Sequence, residues 1–134
     1  MRHLAAVLLL GSAAILPAQV TPVAGTGCGM STTVVQSAPT IGQQIVITNP
    51  FVCFAQAAVV VLGTPALFAW TNCANMSCPI GVAPIVLAAN SGYVTMTLQI
   101  PNNPMFVGFC FRAQTACASG SCLSTDRAVD ICVQ

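Results

Sequence analysis

Tyr93-Val94-Thr95-Met96-Thr97-Leu98-Gln99-Ile100 decides the fold class. Its aliphatic and Met side chains stand at 94, 96, 98 and 100, while Tyr, Thr, Thr and Gln stand at 93, 95, 97 and 99. Successive side chains of a strand point to opposite faces, so this stretch reads as a strand with one buried face. Asn90-Ser91-Gly92 before it and Pro101-Asn102-Asn103-Pro104 after it are turn sequences. The same pattern recurs outward in both directions. Gln43 to Thr48 reads as a strand ended by Asn49-Pro50, and Ala57 to Leu62 as a buried strand ended by Gly63-Thr64-Pro65. Phe106 to Gln114 and Ala128 to Val133 complete the set, and the Ala/Val-rich stretch 82–89 fits either a strand or a helical turn. Short β segments punctuated by Gly and Pro, with no amphipathic helix, predict an all-β fold. The expectation is an antiparallel β-sandwich of about seven to eight short strands, stapled by disulfides.

The amino terminus reads differently. Met1-Arg2-His3 is a short basic start, Leu4 to Leu16 is apolar, and Pro17-Ala18 follows. That is the layout of a secretory signal peptide over residues 1–18, followed by one domain over residues 19–134. The apolar run falls short of the ~20 residues that span a bilayer as a helix, so no transmembrane anchor is expected. The expected location is secreted, extracellular or at the cell surface.

Composition narrows the function classes. Charged residues make up 4% of the chain and hydrophobic ones 56%. Disordered chains show the opposite balance. Nucleic-acid binding is not expected, because no basic face is available to neutralise phosphates. Past residue 18 the charged side chains are Arg112, Asp126, Arg127 and Asp130, which sum to zero, and there is no His, Lys or Glu. A Ser-His-Asp or Cys-His arrangement is therefore impossible there, and general acid–base chemistry is poorly supplied. Asp126 and Asp130 flank Arg127 and read as locally paired charges; Arg112, opposite in facing to Phe109 and Phe111, points outward or to one of these two carboxylates. No catalytic residue, metal or cofactor is expected.

Eight cysteines stand at Cys28, Cys53, Cys73, Cys78, Cys110, Cys117, Cys122 and Cys132. An even count behind a signal peptide points to disulfides rather than a four-Cys metal site. Equal spacing makes Cys73–Cys78 and Cys117–Cys122 the favoured local pairs, although spacing alone does not determine connectivity.

A series of short motifs runs in order along the chain: Gly25-Thr26-Gly27-Cys28, Pro39-Thr40-Ile41-Gly42, Val59-Val60-Val61-Leu62-Gly63, Cys73, Gly92, Ile100-Pro101-Asn102-Asn103-Pro104, and Val107-Gly108 running to Ala113-Gln114. This order resembles a secreted, Cys-containing β-sandwich domain abundant in planctomycetes and other large-genome bacteria. The resemblance implies an exported β-sandwich of uncharacterised function, with no catalytic residues to carry over. It also implies a pairing of Cys28 with Cys73 or Cys78, in competition with the local pairs, and it leaves Cys53, Cys110, Cys117, Cys122 and Cys132 as additions to the family pattern.

One candidate binding platform remains. Trp70, beside Phe68 and with Tyr93, could stack on a sugar ring, with Asn72 and Asn75 of the 71–78 loop supplying polar contacts; the plainer reading places Trp70 at the edge of the core. Asn75-Met76-Ser77 is a formal N-glycosylation triplet. The leading functional expectation is a structural or interaction module of the cell surface or extracellular matrix that self-associates, because its copies carry almost no charge to repel one another. A carbohydrate- or peptide-binding module using Trp70 and the 71–78 loop is the alternative.

Overall fold

The computed structural model describes residues 19–28, 31–54 and 56–134. The expected signal peptide, residues 1–18, lies outside the described residues. Nine strands are present among them: β1 Val20–Pro22, β2 Val34–Gln36, β3 Gln44–Thr48, β4 Ala57–Phe68, β5 Ile80–Ser91, β6 Thr95–Gln99, β7 Cys110–Ser119, β8 Cys122–Thr125 and β9 Val129–Cys132. They form two antiparallel sheets. The larger runs β1-β9-β7-β4-β5, with β8 sharing the edge of β7 that β9 occupies further along; the smaller runs β2-β3-β6.

The alternation read in 93–100 is realised in β6. Val94 and Ile100 are buried, Met96 and Leu98 pack against the core, and Tyr93, Thr95, Thr97 and Gln99 face solvent. Ile45 and Ile47 of β3 lie beside Leu98 and Met96. Opposite them stand Ala58, Val60 and Leu62 of β4, Ala113 of β7, and Val129 and Ile131 of β9. Aliphatic side chains from two inner faces thus make one dry layer, as in an aligned sandwich.

Three boundaries differ from the sequence reading, at Gly63-Thr64-Pro65, at Asn90-Ser91, which belong to β5, and at Phe106, while the open stretch 82–89 is resolved. β4 does not end at Gly63-Thr64-Pro65 but runs through it, with a register shift between Leu62 and Gly63. A Cβ at Gly63 would lie 1.8 Å from the Ala83 carbonyl oxygen, so glycine here permits a close backbone approach at a β-bulge instead of ending the strand. Stretch 82–89 is strand, inside β5. Phe106 is not strand: Pro104–Phe106 is a 3-10 turn, capped by the Asn103 side chain accepting from the Met105 N–H at 3.0 Å, and β7 begins at Cys110.

All eight cysteines are paired, as Cys28–Cys78, Cys53–Cys117, Cys73–Cys122 and Cys110–Cys132. The local pairs Cys73–Cys78 and Cys117–Cys122 do not form. In the β7–β8 register Cys117 lies opposite Ser124 and Cys122 opposite Ser119. The two cysteines are therefore diagonal neighbours, about 7–8 Å apart at Cα, outside the range of roughly 4.4–6.8 Å that a disulfide usually spans. Cys78 is fully buried against Cys28, while Cys73 reaches β8. Of the two pairings that the resemblance implied, Cys28–Cys78 is present and Cys28–Cys73 is not. Four disulfides fit a compartment outside the reducing cytoplasm. Among the described residues no helix is long and apolar enough to cross a membrane.

Candidate functional site

β5 is an outer strand of the larger sheet, and its first half behaves unlike its second. From Val86 to Ser91 it pairs in regular register with β4, whereas Ile80 to Pro84 pairs with β4 beyond the bulge. Past that bulge the hairpin folds toward β7 and β8. The Gly81 N–H donates to Gln114 Oε1 at 2.8 Å, and Arg112 Nη1 donates to the Gly81 carbonyl at 3.1 Å. At the tip the Trp70 indole N–H donates to the Leu123 carbonyl at 3.0 Å, and Cys73–Cys122 ties the 71–78 loop to β8.

This tip carries three of the four candidate binding residues. Trp70 is 36% exposed, with its N–H occupied and part of its ring free. Asn72 is used within the loop: its Oδ1 accepts from the Ala74 and Met76 N–H groups at 3.0 and 2.9 Å, and its Nδ2 donates to Ser124 Oγ at 3.4 Å. Asn75 is exposed with φ of 56°, a left-handed conformation that asparagine tolerates better than most residues. Tyr93 lies elsewhere. It follows Ser91, which pairs with Ala57, whereas Trp70 follows Phe68, which pairs with Ile80. The two rings stand near opposite ends of the same hairpin, which at ~3.3 Å per residue is too long for them to share one small ligand.

Three of the four charges are engaged in structure, while Arg127 is not paired with its neighbouring carboxylates as the sequence suggested: its Nε is buried without a hydrogen-bond partner among the described residues. Arg112 makes a two-pronged pair with Asp130, Nε to Oδ1 at 2.7 Å and Nη2 to Oδ2 at 3.0 Å, which realises one of the two partners expected from sequence. The Asp126 carboxylate accepts from Ser31 Oγ at 2.6 Å and Thr115 Oγ1 at 2.7 Å. Gly25-Thr26-Gly27-Cys28 has a packing account as well. A Cβ at Gly27 would lie 2.5 Å from the Asp126 backbone, and Thr26 Oγ1 accepts from the Ala128 N–H at 2.9 Å while donating to the Val23 carbonyl at 2.8 Å.

No protein family, curated protein or solved structure matches this chain.

What the sequence reading missed is apolar surface. Ile85, Val86 and Leu87 of β5 are 73, 50 and 61% exposed on a strand with no charged residue. Beside them a cleft of about 400 Å³ opens between the sheets, lined by Leu62, Val86, Leu98, Phe106, Phe109 and Phe111. Phe109 meets Phe106 edge-on at 6.3 Å and stacks with Phe111 at 6.4 Å, which fixes the aromatic wall. A second cavity, of about 360 Å³, lies under the folded-over end of the β4–β5 hairpin. The sequence signal for the edge was the Ala/Val-rich run 82–89, whose lack of strict alternation concealed which residues face water. These surfaces offer contact and burial.

Proposed function

We propose that this chain is an exported structural or interaction module of the cell surface or extracellular matrix, acting by surface contact and without catalysis, whose copies associate through the β5 edge. The observation that carries the reading is the run Ile85-Val86-Leu87, exposed along an outer strand beside an apolar cleft. Unpaired edge strands recruit further strands unless charge, proline or a bulge blocks them. Here Pro84 and the bulge interrupt the strand at one end, while Val86 to Ser91 stays regular and uncharged. The resemblance of the ordered motifs to a planctomycete secreted domain bears on export alone. Sedimentation velocity of the folded, oxidised protein tests it over about micromolar to millimolar concentration, at about 0.05 and 0.5 M salt. Association that persists at high salt and weakens on Ile85→Lys is expected; a strict monomer refutes the reading.

A second reading has its own observation. Trp70 is partly exposed on a loop held by Cys28–Cys78 and Cys73–Cys122, a preordered platform for a sugar or peptide. Glycan-array binding that is lost on Trp70→Ala, with Tyr93→Ala without effect, would favour it.

A further inference from the structure

We propose that the cavity beneath the folded-over end of the β4–β5 hairpin is a binding site for an uncharged hydrocarbon group. Val59 and Val61 of β4 with Ala116 of β7 form its floor, and Phe68, Ile80 and Val82 of the hairpin's far half line it from the other side. Its volume of about 360 Å³ falls within the roughly 300–1,000 Å³ of small-molecule sites.

The chemistry of the lining selects the ligand. Polar side chains at its margin are already engaged. Gln114 accepts from the Gly81 N–H and donates through Nε2 to the Asp126 carbonyl, both at 2.8 Å. Thr115 Oγ1 donates to Asp126 Oδ2 at 2.7 Å, and Thr125 Oγ1 donates to the Cys78 carbonyl at 3.2 Å. A water molecule placed inside would want about three hydrogen bonds and would meet mostly methyl and ring carbon. Such space is poorly hydrated, and an apolar group entering it displaces little well-bonded water. Nothing in the lining compensates a charge. The nearby cation, Arg112, has its guanidinium on Asp130 and on the Gly81 carbonyl. A carboxylate or ammonium inside would be buried without a partner, at a cost that excludes it.

The site is also held open. An apolar gap normally closes by collapse of its walls. Here the overlying strand ends are anchored at Cys73–Cys122, at Cys28–Cys78 and through the Trp70 N–H, so the walls keep their separation without a ligand. A preordered cavity spares the ligand the cost of ordering it.

The uncharged fluorophore N-phenyl-1-naphthylamine, titrated into the folded, oxidised protein, tests the site. A saturable one-to-one, blue-shifted enhancement is expected. Val61→Phe, which fills the floor, should weaken binding by at least about tenfold, equivalent to ~1.4 kcal/mol, while Val61→Ala retains it. Should Val61→Phe fail to fold, methyl NMR of the unsubstituted protein takes its place, with naphthalene shifting the methyls of Val59, Val61 and Leu123. Two arms separate the sources of the hydrocarbon. Displacement of the dye by naphthalene alone marks a free small molecule, whereas displacement by neutral phosphatidylcholine vesicles with co-sedimentation marks a lipid tail. Absence of saturable binding overturns the proposal. So does binding that survives Val61→Phe and is abolished by Phe109→Ser, which would place the dye in the other cleft. The sedimentation experiment reads self-association separately, so the two ideas fail independently.

Discussion

Removing the Cys53–Cys117 bridge gives a sharp test of how the sandwich is held. Cys53 is 2% exposed and Cys117 packs against the core. The residues are 64 apart in sequence, but the unfolded, oxidised chain already carries the other cross-links. The shortest circuit that this bridge closes runs from Cys53 to Cys73, across to Cys122, and back to Cys117, about 25 residues in all. In the chain-entropy model a circuit of that length contributes about 3.5 kcal/mol. Loss of one buried and one half-buried sulfur adds about 1 kcal/mol, so Cys53→Ala/Cys117→Ala should lose about 4–5 kcal/mol. Against a total stability of about 5–15 kcal/mol, that is a large fraction. The assay is equilibrium unfolding in guanidinium chloride without reductant, with the double variant used so that no free thiol reshuffles. With a slope of about 3–4 kcal/mol per molar, the midpoint should fall by about 1 M or somewhat more. A Cys117–Cys122 bridge would instead close a loop of about six residues, contributing roughly 2 kcal/mol. A loss below that figure, or a proteolytic fragment linking Cys117 to Cys122, would refute the connectivity and the reasoning built on it.

Other outcomes follow from single contacts. Gly63→Val should destabilise by about 1–3 kcal/mol, because its Cβ would meet the Ala83 carbonyl at 1.8 Å and the backbone must move to relieve it; thermal unfolding reads the change. Asp130→Asn removes the carboxylate facing Arg112, whose side chain is 13% exposed while that of Asp130 is 36% exposed. The cost should be about 1 kcal/mol at low salt and smaller at high salt, as measured by denaturant unfolding at two ionic strengths. Ile85→Lys should leave unfolding within about 0.5 kcal/mol, since the side chain is exposed, while it shifts the sedimentation profile toward monomer. Asn72→Ala frees the Ala74 and Met76 N–H groups and should raise hydrogen exchange in the 71–78 loop without disturbing the core strands.

The strand pattern was legible wherever one face is buried and the other wet. In 93–100 burial follows the alternation, because each side chain's facing is set by the pleat. Turn chemistry was readable at Pro101-Asn102-Asn103-Pro104, and only in part at Asn90-Ser91-Gly92, where Asn90 and Ser91 still pair within β5 and Gly92, with φ of 71°, makes the bend. It misled at Gly63-Thr64-Pro65, where the same residue types serve a bulge within a longer strand. The tripeptide strands β1 and β2 carry too few residues for a pattern, and β1 forms on a partner far along the chain, β9. The candidate platform was legible in part. Trp70, Asn72 and Asn75 share one loop, but whether Tyr93 joined them depended on how two long strands pair.

Residue types alone determine the class of this protein: a charge-poor, cysteine-rich chain with period-two apolar segments buries its aliphatic faces in sheets, since local pleating and the hydrophobic effect act on each segment without reference to the rest. Connectivity, the folded-over hairpin, the exposed β5 edge and the hydrocarbon-sized cavity were decided by tertiary structure. Each depends on which strands meet and in what register. Cys78 finds Cys28, 50 residues away, and Cys117 lies diagonal to Cys122 across the β7–β8 ladder. Relations of that kind belong to pairs of distant segments, so no stretch of sequence taken singly contains them.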